Sequence, residues 1–373
     1  MDASIIIIHY HTPQLLANLL DSFFDTTSLV SYNIEIIIVN NGGEIPSEIF
    51  RHHPIKSLVL SPNENKGYAG GINMGVSHSN GSKLIFMNAD LILHQGSIIK
   101  LFDILDNYDI AGPRFYWDIK KTILLPPIEN TGTLYEINKT LSGSFSLFRD
   151  WFYKSWNDTT YSHIFTNVPK DSYLLSGAMI AFTKTAWNKV GEMDEGFQLY
   201  FEETDWLIRA KKKKLRSVYH NGSEVTHIYN QSAKLERTTQ TRFIESAKRF
   251  SQKHDHFLKR ALIKLLKKFT YTSAPLKQSN VLSRTKVRDN NFFQPFYIPQ
   301  SLSTIKHSLY LEISPFWSFV PSAVAKIEYE MIGQNWTIPS DVWEYAQPGQ
   351  YHFRIVDSQR KEYALHEIRD KNQ

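Results

Sequence analysis

Ser4-Ile-Ile-Ile-Ile8, running into His9-Tyr-His11 and then Thr12-Pro13, is a continuous β-branched apolar run that stops at polar residues. A strand covered on both faces reads this way: in a parallel sheet helices pack on either side, so no residue need alternate toward water. Thr12 suits the N-cap and Pro13 the first position of a helix, where the missing N–H costs nothing. Leu15, Leu16, Leu19, Leu20, Phe23 and Phe24 follow on one helical face. The pattern then repeats. Ile34-Glu-Ile-Ile-Ile-Val39 ends in Asn40-Asn-Gly-Gly43, Ser57-Leu-Val-Leu60 leads into the glycine-rich stretch from Pro62 to Gly75, and Lys83-Leu-Ile-Phe-Met87 ends at Asn88-Ala-Asp90. Strands alternating with helices predict a doubly wound α/β sheet, which binds ligands outside the carboxyl ends of its strands. The polar residues after strands one, two and four are therefore expected to line one crevice.

A second stretch concentrates the chemistry. Leu199-Tyr-Phe-Glu-Glu-Thr-Asp-Trp-Leu-Ile-Arg209 places Glu202, Glu203 and Asp205 within four positions in an apolar frame. Buried carboxylates are costly unless a partner or ligand holds them. The plainer alternative is the acidic first turn of an ordinary helix, where the dipole favours negative charge. Leu175-Ser-Gly-Ala-Met-Ile-Ala-Phe182, a turn and a buried strand, precedes it, with Gly191-Glu-Met-Asp-Glu-Gly196 as a loop between.

The 373 residues suffice for a full α/β domain and a smaller module. The absence of cysteine excludes disulfides and thiolate metal sites and fits a reducing cytosol. No basic leader precedes the first strand, so no signal peptide is expected. No apolar run approaches the roughly 20 residues needed to cross a bilayer. A net charge of +5 is modest, so the location of the charge matters more than its sum.

Periodicity weakens between about Gly112 and Tyr173, which predicts a long excursion over the sheet, either substrate-binding or a plain insertion. Arg209, Lys211, Lys212, Lys213, Lys214 and Arg216 form a basic run that reads as a solvated face. Helix returns from Thr238 to about Phe269. Within it, the segment from Phe257 to Phe269 sets Leu258, Leu262, Leu265, Leu266 and Phe269 on one side and Lys259, Arg260, Lys264, Lys267 and Lys268 over much of the rest. That pattern suits either an anionic membrane surface or a surface helix facing the core, and the density of basic residues favours the membrane. Residues 271–300 read as a linker. Strand-like pieces at Ser308–Ile313, Ala325–Met331 and Gly349–Val356 predict a small antiparallel β module with no concentration of chemistry, suited to acceptor contacts or homo-oligomer formation.

Taken in order, the segments Ser4–Thr12, Val39–Gly42, Asn65–Gly75, Phe86–Asp90, Leu175–Ala178, Val190–Glu195, Glu202–Arg209 and Val225–His227 resemble the inverting family 2 glycosyltransferases of GT-A fold. The likeness is to the rhamnosyltransferase-like branch of bacterial surface polysaccharide synthesis, and it covers roughly residues 4–230. It implies a nucleotide-sugar donor, with dTDP-rhamnose the first choice and a UDP-sugar the second, and a Mn2+ or Mg2+ cofactor. The family's DXD-type motif falls on Asn88-Ala-Asp90. Asp90 keeps the carboxylate that a hard cation wants, while Asn88 departs from the usual first Asp. His227 matches a family histidine that completes the metal shell, against the plainer reading of a structural histidine.

By the same resemblance His9, Tyr10 and Thr12 flank the base and ribose, and Asn40 stands where an Asp usually contacts the base. Asn65, Gly67, Gly71 and Asn73 belong to the donor side, the glycines either allowing close backbone approach or making a tight turn before a helix. Gly177 and Trp206 are acceptor candidates. Glu203 falls on the general-base position, with Glu for the usual Asp. Glu202 is the alternative base, and Asp205 with Arg209 reads as a supporting pair one helical turn apart.

The organisation expected is a glycosyltransferase domain over 1–237, with its nucleotide half to about 112 and acceptor half from 113. A basic helical segment (238–270), a linker (271–300) and a β-rich module (301–373) follow. The acceptor would be a glycan or lipid-linked oligosaccharide, at the cytoplasmic face of the membrane if the basic helix docks there. Rival readings are a non-catalytic nucleotide-sugar binder of the same fold, a nucleotidyltransferase, and a nucleic-acid binder using the basic segments. Acids in the expected cleft argue against the last.

Overall fold

The computed structural model describes residues 1–25, 32–50, 56–126, 133–142, 145–197, 200–228, 239–272, 296–315, 320–346, 349–359 and 361–371. Along the chain run β1 (Ala3–His9), α1 (Pro13–Asp25), β2 (Ile34–Asn40), β3 (Lys56–Leu60), α2 (Gly67–Ser77), β4 (Lys83–Asn88), β5 (Leu91–Leu93), α3 (Ser97–Ile104) and β6 (Ile110–Tyr116). Then come β7 (Ile123–Leu124), α4 (Thr133–Ser142), α5 (Ser146–Ile164), β8 (Lys170–Asp171), β9 (Met179–Thr183), α6 (Lys184–Val190), α7 (Glu202–Lys212) and β10 (Ser217–His227). The chain continues through α8 (Thr239–His254), α9 (Phe257–Thr272), β11 (Phe296–Tyr297), β12 (Leu309–Ser314), β13 (Ala323–Ile327), β14 (Asn335–Trp336), α10 (Ser340–Tyr345), β15 (Gly349–Asp357) and β16 (Glu362–Lys371).

These elements form two compact units, one of residues 1–115 and 165–255, the other of 116–164 and 256–373. The linear boundaries expected from sequence are therefore interleaved: the 116–164 excursion belongs with the C-terminal residues, and the basic helical segment divides between α8 and α9. The expected linker falls largely on 273–295, outside the described residues.

The first unit is the expected doubly wound α/β sheet. Its strand order is β3-β2-β1-β4-β9-β6, parallel from β3 to β4, with β9 antiparallel to β4 and β6 antiparallel to β9. Every residue of β1 is buried, as a strand centred on four isoleucines and flanked by β2 and β4 requires. The carboxyl ends of β1, β2 and β4 lie side by side, His9 opposite Asn40 and Ile8 opposite Asn88. Because β9 runs the other way, its start at Met179 pairs with Met87, which brings the Leu175–Ala178 turn to that same edge. β10 adds a further edge contribution, pairing His227 with Leu91 just beyond Asp90.

The second unit holds an antiparallel sheet in the order β16-β15-β12-β13-β7. Its core includes Phe296, Leu311, Ile313, Ala325, Phe353 and Ile355. Buried Glu312 lies 2.6 Å from Arg354 and accepts from Tyr161 at 2.8 Å. The expected weakly periodic excursion is instead two helices, α4 and α5, joined through a small cluster of Tyr135, Phe152 and Trp156. The periodicity was blurred because α5 carries large apolar residues on two sides: Phe152 and Trp156 are buried while Leu147 and Trp151 are exposed.

Helix α2 sits directly on β1. A methyl group added at Gly75 would collide with Ile6 Cγ2, and Ile6 is itself fully buried in the sheet. Overpacking of this kind typically costs about 1–3 kcal/mol. Gly75→Ala is expected to lower the midpoint of chemical denaturation by that amount; an unchanged midpoint would mean that α2 is free to lift from β1.

Candidate active site

The first turn of α7 carries the acids, and the chain reaches it through two left-handed residues, Tyr200 (φ 64) and Phe201 (φ 71). Non-glycine residues adopt that conformation rarely, so the direction of the helix start is specified by its surroundings. Glu202 is buried, and its Oε2 has no hydrogen-bond partner among the described residues. Burial raises its carboxyl well above the usual range, and the neighbouring Glu203 pushes it further. Burial also raises Glu203, partly opposed by the backbone N–H groups of Glu203 and Thr204 at the helix N-terminus.

Facing these acids is Tyr68, on the first turn of α2, whose hydroxyl donates to the Gly177 carbonyl at 2.5 Å. Burial raises this phenol strongly, and then Glu203, Glu202 and Asp90 each raise it further. Three carboxyl groups from two distant parts of the chain thus act on one hydroxyl. Gly177 fits between Tyr68 and Glu203: a Cβ there would stand 2.6 Å from Glu203 Cγ. The glycine of the 175–178 turn therefore makes room for Glu203, which places it where an acceptor contact was expected.

Asp90, buried just past the end of β4, lies with Oδ1 3.4 Å from His227 Nε2, and Ile228 N–H donates to the Asp90 carbonyl at 2.9 Å. The two expected metal ligands, 137 positions apart in sequence, are thus adjacent through the β5–β10 pairing. Among the described residues no group of three or more His, Cys, Asp or Glu side chains converges as a metal shell. One carboxylate and one imidazole still fit a Mg2+- or Mn2+-type ion, which takes few protein ligands and completes its shell with substrate phosphates and water. Asn88, half-buried beside them, is anchored by its backbone N–H to the Ala178 carbonyl at 2.9 Å.

Several expected ligand contacts have other duties. His9 is fully buried; its Nε2 accepts from the Thr12 N–H at 3.1 Å, so its Nδ1 carries the proton and donates to Asn40 Oδ1 at 2.9 Å. Burial lowers its pKa and keeps it neutral. It braces the turn after β1. The Asn40 amide also binds Gly42 N–H (3.2 Å) and the Gly43 carbonyl (2.9 Å). Tyr10, half-buried with its ring edge-on to His11, and Thr12 remain at the mouth of this turn.

Asn65 accepts from Gly67 N–H at 2.8 Å and so shapes the left-handed entry to α2 at Gly67 (φ 67). Gly71 has a packing reason, since a Cβ would press on Asn41 and Ile8. Asn73 exchanges both polar ends with the 193–195 loop: it accepts from Met193 N–H at 2.9 Å and donates to the Met193 carbonyl and Glu195 Oε1. Trp206 is fully buried, donating to the Gly191 carbonyl at 2.9 Å and packing on Phe182 and Trp187. It is a core residue and no acceptor contact.

Asp205, grouped with the catalytic candidates, is turned away from Glu203 into a cationic clamp. It lies 2.9 Å from Arg209 Nε, 2.8 Å from Lys253 Nζ and 2.6 Å from His254 Nε2. The i,i+4 pair with Arg209 was legible in sequence; the two contacts from α8 were not. Lys253 also binds Asp194 at 2.8 Å, where Arg249 joins at 2.7 Å, so α8 is latched to both α7 and the 191–196 loop. Two further residues had no distinguishing signal in sequence. One is Tyr68. The other is Asn41, which receives Lys66 N–H at 3.3 Å and donates to the Gly67 carbonyl at 2.8 Å, fixing the start of α2.

The two kinds of acid predict opposite pH behaviour. Burial alone would raise Asp205, but His254, Lys253 and Arg209 together lower it. Its stabilisation is present above the unfolded-state value near 4 and is lost as pH falls through the lower folded value. Asp205→Asn should therefore cost on the order of 3 kcal/mol at neutral pH, with the gap to wild type closing on acidification in denaturation series. Glu202 is raised, so its ionisation opposes folding as pH rises from about 4. Measured without donor, Glu202→Gln should gain stability relative to wild type between pH 4 and 7; a pH-independent difference would contradict the burial of a titrating carboxyl there.

Residues 4–171 match the family model described as Glycosyl transferase family 2. Among curated proteins the chain is similar to the low-salt glycan biosynthesis hexosyltransferase Agl10 of Haloferax volcanii, 25% identical over 223 residues. That similarity covers 57% of this chain, and the chain spans 63% of the relative's length. Among solved structures it is similar to the mannosyltransferase PcManGT of Pyrobaculum calidifontis in complex with GDP-Man and Mn2+. The TM-score is 0.45 at 10% identity, covering 73% of this chain and 70% of that one. It is also similar to S. aureus TarS 1-349 in complex with UDP-GlcNAc, with a TM-score of 0.48 at 12% identity, covering 73% and 72%. The match takes in the α/β unit through β6, with the Tyr10, Asn65, Tyr68 and Asp90 positions described above, together with residues 116–164 of the second unit.

Proposed function

We propose that this chain is an inverting glycosyltransferase. It moves a sugar from a nucleoside-diphosphate sugar to a hydroxyl of a glycan or lipid-linked glycan. The observation that carries this reading is the convergence of Glu203, Glu202 and Asp90 on Tyr68 and Gly177, at the carboxyl edge of a doubly wound sheet, with Asp90 paired to His227. The match of residues 4–171 to glycosyl transferase family 2 supports it.

Glu203 is the base. Its raised pKa brings the carboxylate closer to the operating range, where a general base combines availability with proton affinity. It takes the proton of the acceptor hydroxyl as that oxygen bonds to the anomeric carbon from the face opposite the leaving group. The bond from that carbon to the diphosphate oxygen breaks, the electron pair leaves with the nucleoside diphosphate, and the configuration inverts. Glu202 shares this buried environment, where burial and the neighbouring Glu203 both disfavour its ionised form, so double negative charge on the pair is opposed. The Tyr68 hydroxyl holds the 175–178 turn, and Gly177 leaves Glu203 its place. Asp90 and His227 would hold a divalent cation, which would supply charge neutralisation at the diphosphate.

The donor is dTDP-rhamnose as first choice and a UDP-sugar as second. The setting is bacterial surface polysaccharide synthesis at the inner face of the cell membrane, following the motif order of residues 4–230. The similarity to a hexosyltransferase supports transfer of a six-carbon sugar.

Thermal unfolding with UDP, dTDP, GDP and CMP, each with and without Mn2+, tests the donor site, because a ligand that binds only the native state raises its stability. A Mn2+-dependent rise with dTDP or UDP is expected; no rise with any of the four would remove the donor reading. Glu203→Gln should retain that rise yet lose about 10²–10⁴-fold in transfer rate. Full transfer by this variant would move the base to another residue.

A further inference from the structure

We infer that α4, α5 and α9 of the second unit form a docking face for an anionic lipid bilayer. This deepens the proposed membrane setting and rests on that reading only for its biological purpose. In α9, Phe257, Leu258, Leu262 and Leu265 share one side of the helix at i, i+1, i+5 and i+8 and are all exposed, Leu258 at 62%. The opposite side, with Ile263, Leu266 and the stems of Lys259 and Arg260, is half-buried. The helix packs on α4, which packs on α5. The apolar stripe is therefore not the surface that α9 uses within its own unit.

The partner helices repeat the arrangement. In α5, Leu147 is 78% exposed and Trp151 half exposed one turn on, while Phe152 and Trp156 do the packing. Leu134, at the start of α4, is likewise exposed. Large apolar side chains are thus left on the outside of all three helices of a packed series, α9 on α4 and α4 on α5, and extended exposed apolar surface is uncommon on a monomer.

The occupant is specified by charge. Helix α9 contains Lys259, Arg260, Lys264, Lys267 and Lys268 and no acid. Exposed Lys264 and Lys268 border the apolar stripe. An apolar stripe edged by lysines matches the boundary between acyl chains and anionic headgroups, where the side chains insert and the cations remain at phosphate level. No helix among the described residues is long and apolar enough to cross a membrane, so the contact is with the surface.

The experiment is flotation of the full chain, without donor or acceptor, on phosphatidylcholine vesicles and on vesicles containing phosphatidylglycerol. Capture by the anionic vesicles, weakened by salt, is expected. Leu258→Asp with Leu262→Asp should lower it about tenfold or more, Lys264→Glu with Lys268→Glu by a similar factor, and Leu147→Asp measurably. All these side chains are exposed, so the variants should keep the wild-type melting curve. No capture, equal capture by neutral and anionic vesicles, or capture indifferent to these substitutions would overturn the proposal. So would a dimer seen by light scattering that the leucine variants dissolve, since the face would then cover a second copy. The nucleotide-induced thermal shift, read on the same proteins, separates the two readings: vesicle capture without any shift leaves the docking face standing and removes the donor site, and the converse leaves only the donor site.

Discussion

The desolvated carboxyl pair Glu202–Glu203 is the constraint around which the first unit is arranged. Two adjacent acids at partly or fully buried positions cost free energy in their ionised forms, and nothing in a helix requires both. The surroundings absorb that cost in three ways. Two left-handed residues aim the first turn of α7, the helix N-terminal amides face Glu203, and Gly177 withdraws its side chain from the space that Glu203 fills. The N-terminal amides would serve any acidic helix start, whereas the left-handed approach and the bare Gly177 are particular to the place Glu203 occupies.

Asp205 shows what a structural acid on the same helix looks like. It is as buried as Glu202 but is held low by His254, Lys253 and Arg209. The two sets of acids differ in what faces them, with cations around Asp205 and other acids with a phenol around Glu203. The clamp joins α8 to α7 and, through Asp194, to the 191–196 loop. The same loop is gripped from the other side by Asn73. Glu203, the proposed base, is thereby carried on a helix tied at both flanks, which is how a scaffold keeps a carboxylate in one place.

The second unit follows a different economy of surface. Its β core is closed by aromatic and aliphatic packing around Phe296 and Phe353, while its helices leave large apolar groups outside beside lysines. Interior packing and exposed apolar stripes thus occur in one unit, and the exposed stripe is the surface of the proposed docking face.

Much of this was readable from the chain alone. The isoleucine runs of β1 and β2 could only be buried parallel strands, and the polar residues that end them could only lie at one edge. Motif order singled out Glu203, Asp90 and His227, of which the fold brings Asp90 and His227 together, and helical spacing gave the Asp205–Arg209 pair. The sequence could not say which polar residues at that edge face the cleft. His9 and Asn40 spend their hydrogen bonds on each other and on turns, Asn73 on a loop 120 residues away, and Trp206 fills the core. Nor could it reveal Tyr68, the α8 clamp or the interleaving of the two units. The physical reason is the same in each case. Strand and helix follow from local periodicity, which a sequence displays, whereas a side chain's duty depends on which distant backbone amide or charge the fold brings within about 3 Å of it.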